Sequence, residues 1–227
     1  MVRSSMVRGA ILAVALALIV ALPVEAAGAR VIEAAPRSSG AVALTFDDGW
    51  NHRACARIAD ILRTRGVTGT FFVNGRELEA RPWKWRRILE GMPVGNHTYA
   101  HKRMTGLAND AIRRQLQRNE KVHERILGQP MLKLFRPPYG VYSERVRRVA
   151  AEVGYRRMVL WNVQPHDWSA RTTARQIERR ATGARRGSII LLHCRHGATV
   201  KALPRIIRHY RGRGIELVGL DELLRRS

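Results

Sequence analysis

Residues 41–50 read Ala-Val-Ala-Leu-Thr-Phe-Asp-Asp-Gly-Trp, an apolar run that ends in two adjacent carboxylates and a glycine. An uninterrupted apolar run is typical of a parallel strand that is buried on both faces. In parallel α/β folds the active site forms at the carboxyl ends of the strands, which is where Asp47 and Asp48 fall. A turn at Gly49 can bring both carboxylates to one site, although an Asp-Asp-Gly sequence alone more often forms a solvated turn.

Six further strand-like runs follow, and amphipathic segments separate them. After the first strand at 41–46, the predicted strands are 69–73, 92–95, 132–136, 157–163, 188–193 and 215–218. Residues 110–127 form the clearest predicted helix, because Ile112, Leu116 and Ile126 recur on one face. This alternation predicts a single-domain α/β fold, with seven strands in a barrel or a strongly curved parallel sheet.

The beginning of the chain carries a targeting signal. Two arginines and a 13-residue apolar run, 10–22, precede a sequence of small residues. This order predicts a secretory signal peptide at 1–26, since a membrane-spanning helix needs about 20 apolar residues. We expect a short flexible lead at 27–40 and a folded domain at 41–227. The protein is then secreted or associated with the cell wall, without a membrane span after cleavage.

The chain is strongly basic, with 41 lysines and arginines, 18 acidic residues and a formal charge of +23. The arginines are spread over predicted helix exteriors, a pattern typical of solvated helix faces rather than of a nucleic-acid-binding surface. The sequence has no zinc-finger spacing and no aromatic-rich RNA-binding motif. We therefore expect a monomer with no specific nucleic-acid partner and with an electrostatic attraction to anionic cell-wall polymers.

Residues 95–101 read Gly-Asn-His-Thr-Tyr-Ala-His and place two histidines four positions apart. That spacing brings the imidazoles of His97 and His101 together on one face of a helical turn. Alone, such a pair is as often two unconnected surface side chains. With Asp48 it completes a set of two histidines and one carboxylate that suits a divalent metal. Zinc is the natural occupant, and iron, cobalt and nickel are alternatives because geometry rather than affinity selects the metal.

Residues 135–140 read Phe-Arg-Pro-Pro-Tyr-Gly. The two prolines fix the backbone and have no amide hydrogen, so Tyr139 is the first residue after Arg136 that can donate one. A rigid N–H donor suits an oxyanion, whereas in isolation this sequence more often forms a surface turn.

Two further polar groups follow predicted strands, His166-Asp167-Trp168 and the end of Leu191-Leu192-His193. A histidine at the end of a buried strand is, by itself, more often a hydrogen-bonded structural residue. Together, however, the five clusters lie consistently at one end of the strands, which chance placement does not favour.

Cys55 and Cys194 are the only two cysteines of the chain, and each follows a strand that carries candidate site residues. In an oxidising compartment they can form a disulfide. Two partly buried free thiols are the alternative, and the sequence leaves both open.

The five motifs, in this order, resemble those of the polysaccharide deacetylases of carbohydrate esterase family 4, the NodB-homology domain. The resemblance extends from about Ala41 to Leu224. It implies a distorted seven-stranded β/α barrel and a metal-dependent hydrolase that removes N-acetyl groups from an amino-sugar polymer, such as peptidoglycan or a chitin-type oligosaccharide, releasing acetate. The alternatives are an O-deacetylase, acting for example on xylan, and a basic wall-binding protein without catalysis.

The resemblance also implies a role for each motif residue. The implied metal ligands are Asp48, His97 and His101. The implied catalytic residues are Asp47 as general base, His193 as general acid, Arg136 as the group that orients Asp47, Asp167 as the group that tunes His193, and Tyr139, whose amide stabilises the oxyanion. The implied substrate-binding residues are Trp168 and Leu191, which line the pocket for the acetyl methyl, together with Tyr139.

Two positions differ from the usual pattern of the family. Gln164 stands where an additional aspartate is common, and Cys194-Arg195 follows His193 where Asp-Gly is common. We expect activity to survive because Asp167 and His193 are both present, while the pKa of the acid and the substrate preference are open to change. His196 is interpreted as a loop residue, with a substrate contact as the alternative.

Overall fold

A computed structural model of the protein describes residues 28–227, which form eight strands and eight helices. The strands are β1 (Arg30–Ile32), β2 (Ala41–Asp48), β3 (Thr70–Val73), β4 (Val94–Asn96), β5 (Leu134–Phe135), β6 (Arg157–Val159), β7 (Ile189–His193) and β8 (Glu216–Val218). The helices are α1 (His52–Thr64), α2 (Gly75–Ala80), α3 (Pro82–Ile88), α4 (Asn109–Leu127), α5 (Glu144–Glu152), α6 (Ala174–Ala181), α7 (Gly197–Arg211) and α8 (Leu220–Arg225).

The strands pair in parallel in the order β1-β6-β5-β4-β3-β2-β7, and β8 pairs with the start of β2. Beyond the end of β6, Val163 forms a parallel bridge with Ile190 of β7. A second bridge joins Ala34, which follows β1, to Ser188, which directly precedes β7, so the two bridges bring the ends of the strand order together. The sheet is therefore a distorted barrel, with the helices packed on its outside.

Strand β2 pairs with three other strands, β3, β7 and β8, and all eight of its residues are buried. Successive side chains of a strand point to opposite faces. Phe46 and the other large apolar side chains of β2 pack in the cluster formed with the helices, whereas Ala41 and Ala43 belong to the cluster inside the barrel. Two-residue periodicity then places Thr45 and Asp47 on the inner face. The strand thus presents a carboxylate to the barrel interior at its carboxyl end.

The predicted α/β class, the single domain and all seven predicted strands are confirmed, and α4 begins one residue before the predicted helix at 110–127. Strand β6 is shorter than the predicted 157–163. The backbone carbonyls of Val159 and Leu160 accept hydrogen bonds from the side chain of Arg136. The side chain of Arg136 therefore supplies, at the end of β6, the hydrogen bonds that the backbone of a neighbouring strand would otherwise donate.

The segment 27–40, expected to be a flexible lead, contributes β1 and a 3-10 turn, Arg37–Ser39. Strand β1 pairs in parallel with β6, so the expectation of a flexible lead is wrong for this part. Three residues with partly exposed side chains give too short an apolar pattern to be recognised as a strand. The predicted signal peptide at 1–26 lies outside the described residues. Between residues 28 and 227, no helix has the length and hydropathy that crossing a membrane requires.

Cys55 in α1 and Cys194, directly after β7, form a disulfide with their Cα atoms 4.9 Å apart. The structure thereby decides between the two states that the sequence left open. The bond joins residues 139 positions apart and ties the segment after His193 to α1. The backbone N–H of Asn51 also donates to the carbonyl of Cys194 at 3.1 Å, so this segment is held twice.

Replacing both cysteines, Cys55→Ala with Cys194→Ala, should lower the free energy of unfolding by about 2–4 kcal/mol, because the cross-link restricts the unfolded chain over a long loop. Urea unfolding of the oxidised protein measures this change. Wild-type protein in reductant is the control and should unfold near the midpoint of the double variant. Equal midpoints for the variant and the oxidised wild type would contradict the prediction.

Candidate active site

Four strands deliver the predicted site residues to one end of the barrel. The register of β2 with β7 places Asp47 beside His193. The register of β4 with β5 places His97 and Arg136 side by side, just beyond the ends of these strands. Because the carboxyl ends of parallel strands meet at one edge, residues from distant parts of the sequence come together here.

Arg136 is fully buried and holds Asp47 in place. Its Nη1 donates to Asp47 Oδ1 at 2.7 Å and to Thr45 Oγ1 at 2.9 Å, and its Nε and Nη2 donate to the carbonyls of Val159 and Leu160. Burial lowers the pKa of the Arg136 guanidinium, and Asp47 opposes this shift. Arginine keeps its charge in proteins, so the pair is a buried ion pair. It fixes the orientation of the Asp47 carboxylate.

Asp48, His97 and His101 converge on one point. Asp48 Oδ1 lies 3.3 Å from His97 Nε2 and 3.2 Å from His101 Nε2. Ligands of a tetrahedral zinc ion lie about 2.0–2.1 Å from it and hence roughly 3.3 Å from one another. His97 Nδ1 is 2.8 Å from the carbonyl of Arg136 and donates to it, which makes Nε2 the ring nitrogen that faces Asp48. The three donors therefore fit a divalent cation.

The ionisation of this group follows from its burial and its contacts. Burial alone raises the pKa of Asp48, but hydrogen bonds from His101 and His97 outweigh it and hold the pKa below its ordinary value. Burial alone lowers the pKa of His97, but the negative charges of Asp47 and Asp48 outweigh it and raise the pKa. A cation that binds here displaces protons, so its affinity falls at low pH.

The loop after β4, rather than a helix, brings the two histidines together. Residues 97–101 have no helical hydrogen-bond pattern, so the expected helical turn is wrong. Instead, Thr98 N donates to Asn96 Oδ1 at 2.9 Å, and His101 N donates to Thr98 Oγ1 at 3.1 Å. Asn96 and Thr98 are buried and shape the loop. Asn96 and Thr98 are polar residues next to His97, and this is the sequence feature that could have indicated a loop held by side-chain hydrogen bonds.

Five non-glycine residues have a positive φ among those described, and each lies at the carboxyl end of a strand or in the segment that follows one. They are Asp48 (74°), Thr98 (68°), His101 (52°), Tyr139 (63°) and His166 (60°). Such conformations cost about 1–3 kcal/mol each and persist where the surrounding structure imposes them, often at functional sites. The turn that redirects the Asp48 carboxylate thus begins at Asp48 itself and continues through Gly49, whose φ is 85°.

His193 is held by Asp167. Asp167 Oδ1 lies 2.8 Å from His193 Nδ1, and Asp167 Oδ2 accepts from His193 N and from Thr199 Oγ1, both at 2.8 Å. Burial alone lowers the pKa of His193, but the hydrogen bond and the charge of Asp167 outweigh it and raise the pKa. Since Nδ1 is engaged, Nε2 is the ring nitrogen available for proton transfer.

These groups share one cavity of about 410 Å³. The residues that line it are Asp47, Asp48, Trp50, His97, His101, Pro137, Tyr139, Gly140, Trp161, Gln164, Trp168, Leu191, His193 and Arg195. Leu191 is buried and Trp168 is half exposed, so the two supply an apolar floor and an accessible wall. All the predicted site residues therefore lie in the cavity or, for Arg136 and Asp167, directly behind it.

Several further residues contribute to the site, although they are not part of the motifs that the sequence singled out. Thr45, which accepts from Arg136, lies two positions before Asp47 on the same face of β2, so strand periodicity was a usable signal. Thr199, which donates to Asp167, lies in α7 and had no recognisable signal. His196, interpreted as a loop residue, is the N-cap of α7, and its Nε2 lies 3.1 Å from the carbonyl of Trp168.

Comparison with known proteins decides the family. The sequence model of the polysaccharide deacetylases matches residues 34–158. The chain belongs to this family. It is 34% identical over 158 residues to a chitooligosaccharide deacetylase of Azorhizobium caulinodans, a match that covers 69% of this chain and 75% of that protein. It is 30% identical over 195 residues to a peptidoglycan-N-acetylglucosamine deacetylase of Bacillus cereus, covering 84% and 91%. The predicted family and class of enzyme are confirmed.

Solved structures confirm the predicted fold. A peptidoglycan N-acetylglucosamine deacetylase, solved with an N-oxidanyl-benzamide compound, is 33% identical with a TM-score of 0.80, covering 87% of this chain and 94% of that one. A CE4 family pseudoenzyme from Bacillus anthracis is 28% identical with a TM-score of 0.81, covering 86% of this chain and 69% of that one. Since a pseudoenzyme shares the fold, the fold alone does not establish catalysis, which depends on the residues of the site.

Zinc should stabilise the protein, because an ion that binds only the folded state shifts the unfolding equilibrium by about 2.7 kcal/mol at 100 times its dissociation constant. His101→Ala should remove most of this gain, and His196→Ala, outside the three donors, should keep it. Thermal unfolding of metal-stripped protein with and without zinc measures the gain within each variant, so any change in basal stability cancels. Equal gains in His101→Ala and wild type would contradict the assignment of the ligands.

Proposed function

We propose that this protein hydrolyses the N-acetyl groups of an amino-sugar polymer, peptidoglycan or a chitin-type oligosaccharide, and releases acetate. One observation carries the proposal: three kinds of functional group lie at a single cavity. They are the three residues that can bind a cation, the ion pair of Asp47 with Arg136, and the hydrogen-bonded pair of His193 with Asp167. Metal-assisted amide hydrolysis uses a Lewis acid, a base for the attacking water and an acid for the departing amine.

In this proposal Asp48, His97 and His101 hold the cation, and zinc is the metal that these donors favour. Iron, cobalt and nickel bind the same donors, so geometry and supply select among them. When bound, the cation supplies Lewis-acid chemistry, since it lowers the pKa of water and polarises a carbonyl.

Asp47 acts as the general base. Its Oδ1 accepts from Arg136, while its Oδ2 faces the histidines, 3.8 Å from His97 Nε2. Oδ2 is therefore the atom that takes the proton of the attacking water. Arg136 is a positioning residue, because it reaches the reaction only through the carboxylate that it orients.

The substrate carbonyl develops negative charge as water attacks it. The backbone N–H of Tyr139 donates to this oxyanion in the proposal, and the residues that precede it, Pro137 and Pro138, make the donor rigid. Trp168 and Leu191, which line the cavity, contact the acetyl methyl. A small apolar pocket of this kind selects acetyl over larger acyl groups.

His193 acts as the general acid. Nε2 of its imidazolium protonates the departing nitrogen as the carbon–nitrogen bond breaks, and Asp167 stabilises the charged ring through Nδ1. An amine is a poor leaving group without that proton. Removal of O-acetyl groups, where an alcohol leaves, is the alternative, and the activities for which the two deacetylase relatives are named favour removal from nitrogen.

A non-catalytic wall-binding protein is the remaining alternative. It would tolerate damage to the cation donors or the proton-transfer pairs, and each of these contacts is intact. We further propose that the protein is exported through its signal peptide, acts as a monomer at the cell wall, and is attracted to anionic wall polymers by its large excess of basic over acidic residues.

Acetate release from N-acetylglucosamine oligomers, peptidoglycan and acetylxylan tests the reaction. Removing the metal with a chelator should abolish release, and Asp47→Asn should lower kcat about 10²- to 10⁴-fold because the general base is lost. Asp60→Asn, an exposed carboxylate of α1, is the matched control and should retain full activity. Metal-loaded protein that is inactive on all three substrates would support the wall-binding alternative.

The pH profile should follow the raised pKa of His193. The acid must be protonated, so kcat should fall as pH rises through that pKa. Asp167→Asn removes the carboxylate that raises the pKa, and the alkaline limb should therefore move to lower pH. Asp110→Asn, an exposed carboxylate of α4, serves as the control. An alkaline limb that stays in place in Asp167→Asn would exclude His193 as the acid.

A further inference from the structure

Five side chains form a continuous row along one rim of the cavity, called here the aromatic row. The guanidinium of Arg195 lies 4.9 Å from the ring centroid of Trp50, and that ring lies 5.0 Å from His101. His101 in turn lies 4.6 Å from Tyr139, whose ring is 5.4 Å from the guanidinium of Arg103. The row thus has a positive charge at each end, and His101, one of the three residues that can bind a cation, lies in the middle.

The backbone at Arg195 is held rigidly. The side-chain amide of Asn51 donates to the Arg195 carbonyl at 3.1 Å, and the preceding residue, Cys194, is fixed by its disulfide. The guanidinium lies over one face of the Trp50 ring rather than extending freely into solvent. A side chain held in advance loses less conformational freedom when it binds a ligand.

Neither end of the row is neutralised. Many exposed or partly exposed arginines of this protein form ion pairs with carboxylates, including Arg63, Arg113, Arg118, Arg125, Arg147, Arg225 and Arg226. Between residues 28 and 227, no carboxylate lies within ion-pair distance of Arg195 or Arg103. The carboxylates that line the cavity, Asp47 and Asp48, are buried and already engaged with Arg136 and the histidines.

The exposed rings between the two arginines suit a sugar chain. Trp50 and Tyr139 are 41% and 59% exposed and present apolar faces beside the reaction centre. Such faces pack against sugar rings, while a guanidinium at each end offers a planar pair of donors that matches a carboxylate. The row therefore matches an acidic glycan better than a neutral one.

We propose that Arg195 and Arg103 bind carboxylates on the sugars that flank the acetamido group being hydrolysed, so that the protein prefers an acidic N-acetylated glycan to a neutral one. The inference rests on the proposed function and adds residues that determine specificity. Family membership does not decide the matter, since the named relatives include deacetylases of neutral chitooligosaccharides and of acidic peptidoglycan.

The test compares three soluble, peptide-free tetrasaccharides with the metal-loaded protein. One alternates N-acetylglucosamine with N-acetylmuramic acid and carries lactyl carboxylates, the second is its methyl ester, and the third is chitotetraose. Absence of peptide isolates the sugar carboxylate as the source of charge. The readout is the ratio of kcat/KM for the acid to that for the ester.

Wild-type protein should give a ratio of about five or more. Arg195→Gln and Arg103→Gln should each lower the ratio roughly two- to fivefold, the effect of an exposed ion pair, and the double variant should bring it to about one. The change should appear in KM rather than kcat, because the contact is present before and during the reaction. High salt should weaken the preference of the wild type.

Arg208→Gln, which removes an exposed charge of α7, is the matched control and should leave the ratio unchanged. A wild-type ratio of one, or a double variant that keeps the wild-type ratio, would overturn the proposal. So would an equal fall in Arg208→Gln, because the preference would then reflect net charge alone. Chitotetraose distinguishes failure of the proposed preference from failure of the proposed function. Acetate release from it without a preference for the acid refutes only the preference, whereas no acetate from any of the three substrates refutes the proposed function itself.

Discussion

The buried ion pair between Arg136 and Asp47 connects the parts of this site to the barrel. The side chain of Arg136 binds Asp47 and the carbonyls at the end of β6, while its own carbonyl accepts from Nδ1 of His97. Arg136 thus orients Asp47, the proposed base, and sets the tautomer of His97. It also satisfies the backbone carbonyls at the end of β6. Burying a guanidinium costs several kcal/mol, and here a carboxylate and three further acceptors offset that cost.

Much of the architecture was predictable because two periodicities are strong in the sequence. Apolar runs defined seven strands, and the polar residues after them marked the carboxyl ends. Parallel topology alone then required Asp47, His97 and His193 to meet. Strand β1 escaped prediction because it has three residues, and its pairing with β6 depends on tertiary structure that a short local pattern does not encode.

The detailed geometry of the site was less predictable, because it depends on strained loops and on distant contacts. His101 was expected on a helical turn but adopts a positive φ of 52° in a loop shaped by Asn96 and Thr98. The support of Asp167 by Thr199 joins positions 32 residues apart and leaves no local pattern. The same holds for the aromatic row. A fold shared with a pseudoenzyme does not specify these contacts, so they distinguish a competent site from an inherited scaffold.

The account depends most on Asp48, His97 and His101 surrounding one cation. X-ray absorption at the zinc edge of the zinc-loaded protein tests this arrangement directly. The account predicts two imidazole nitrogens and a carboxylate oxygen at about 2.0–2.2 Å, with one imidazole lost in His97→Ala. A spectrum without imidazole scattering, or one that is unchanged in His97→Ala, would contradict the central claim.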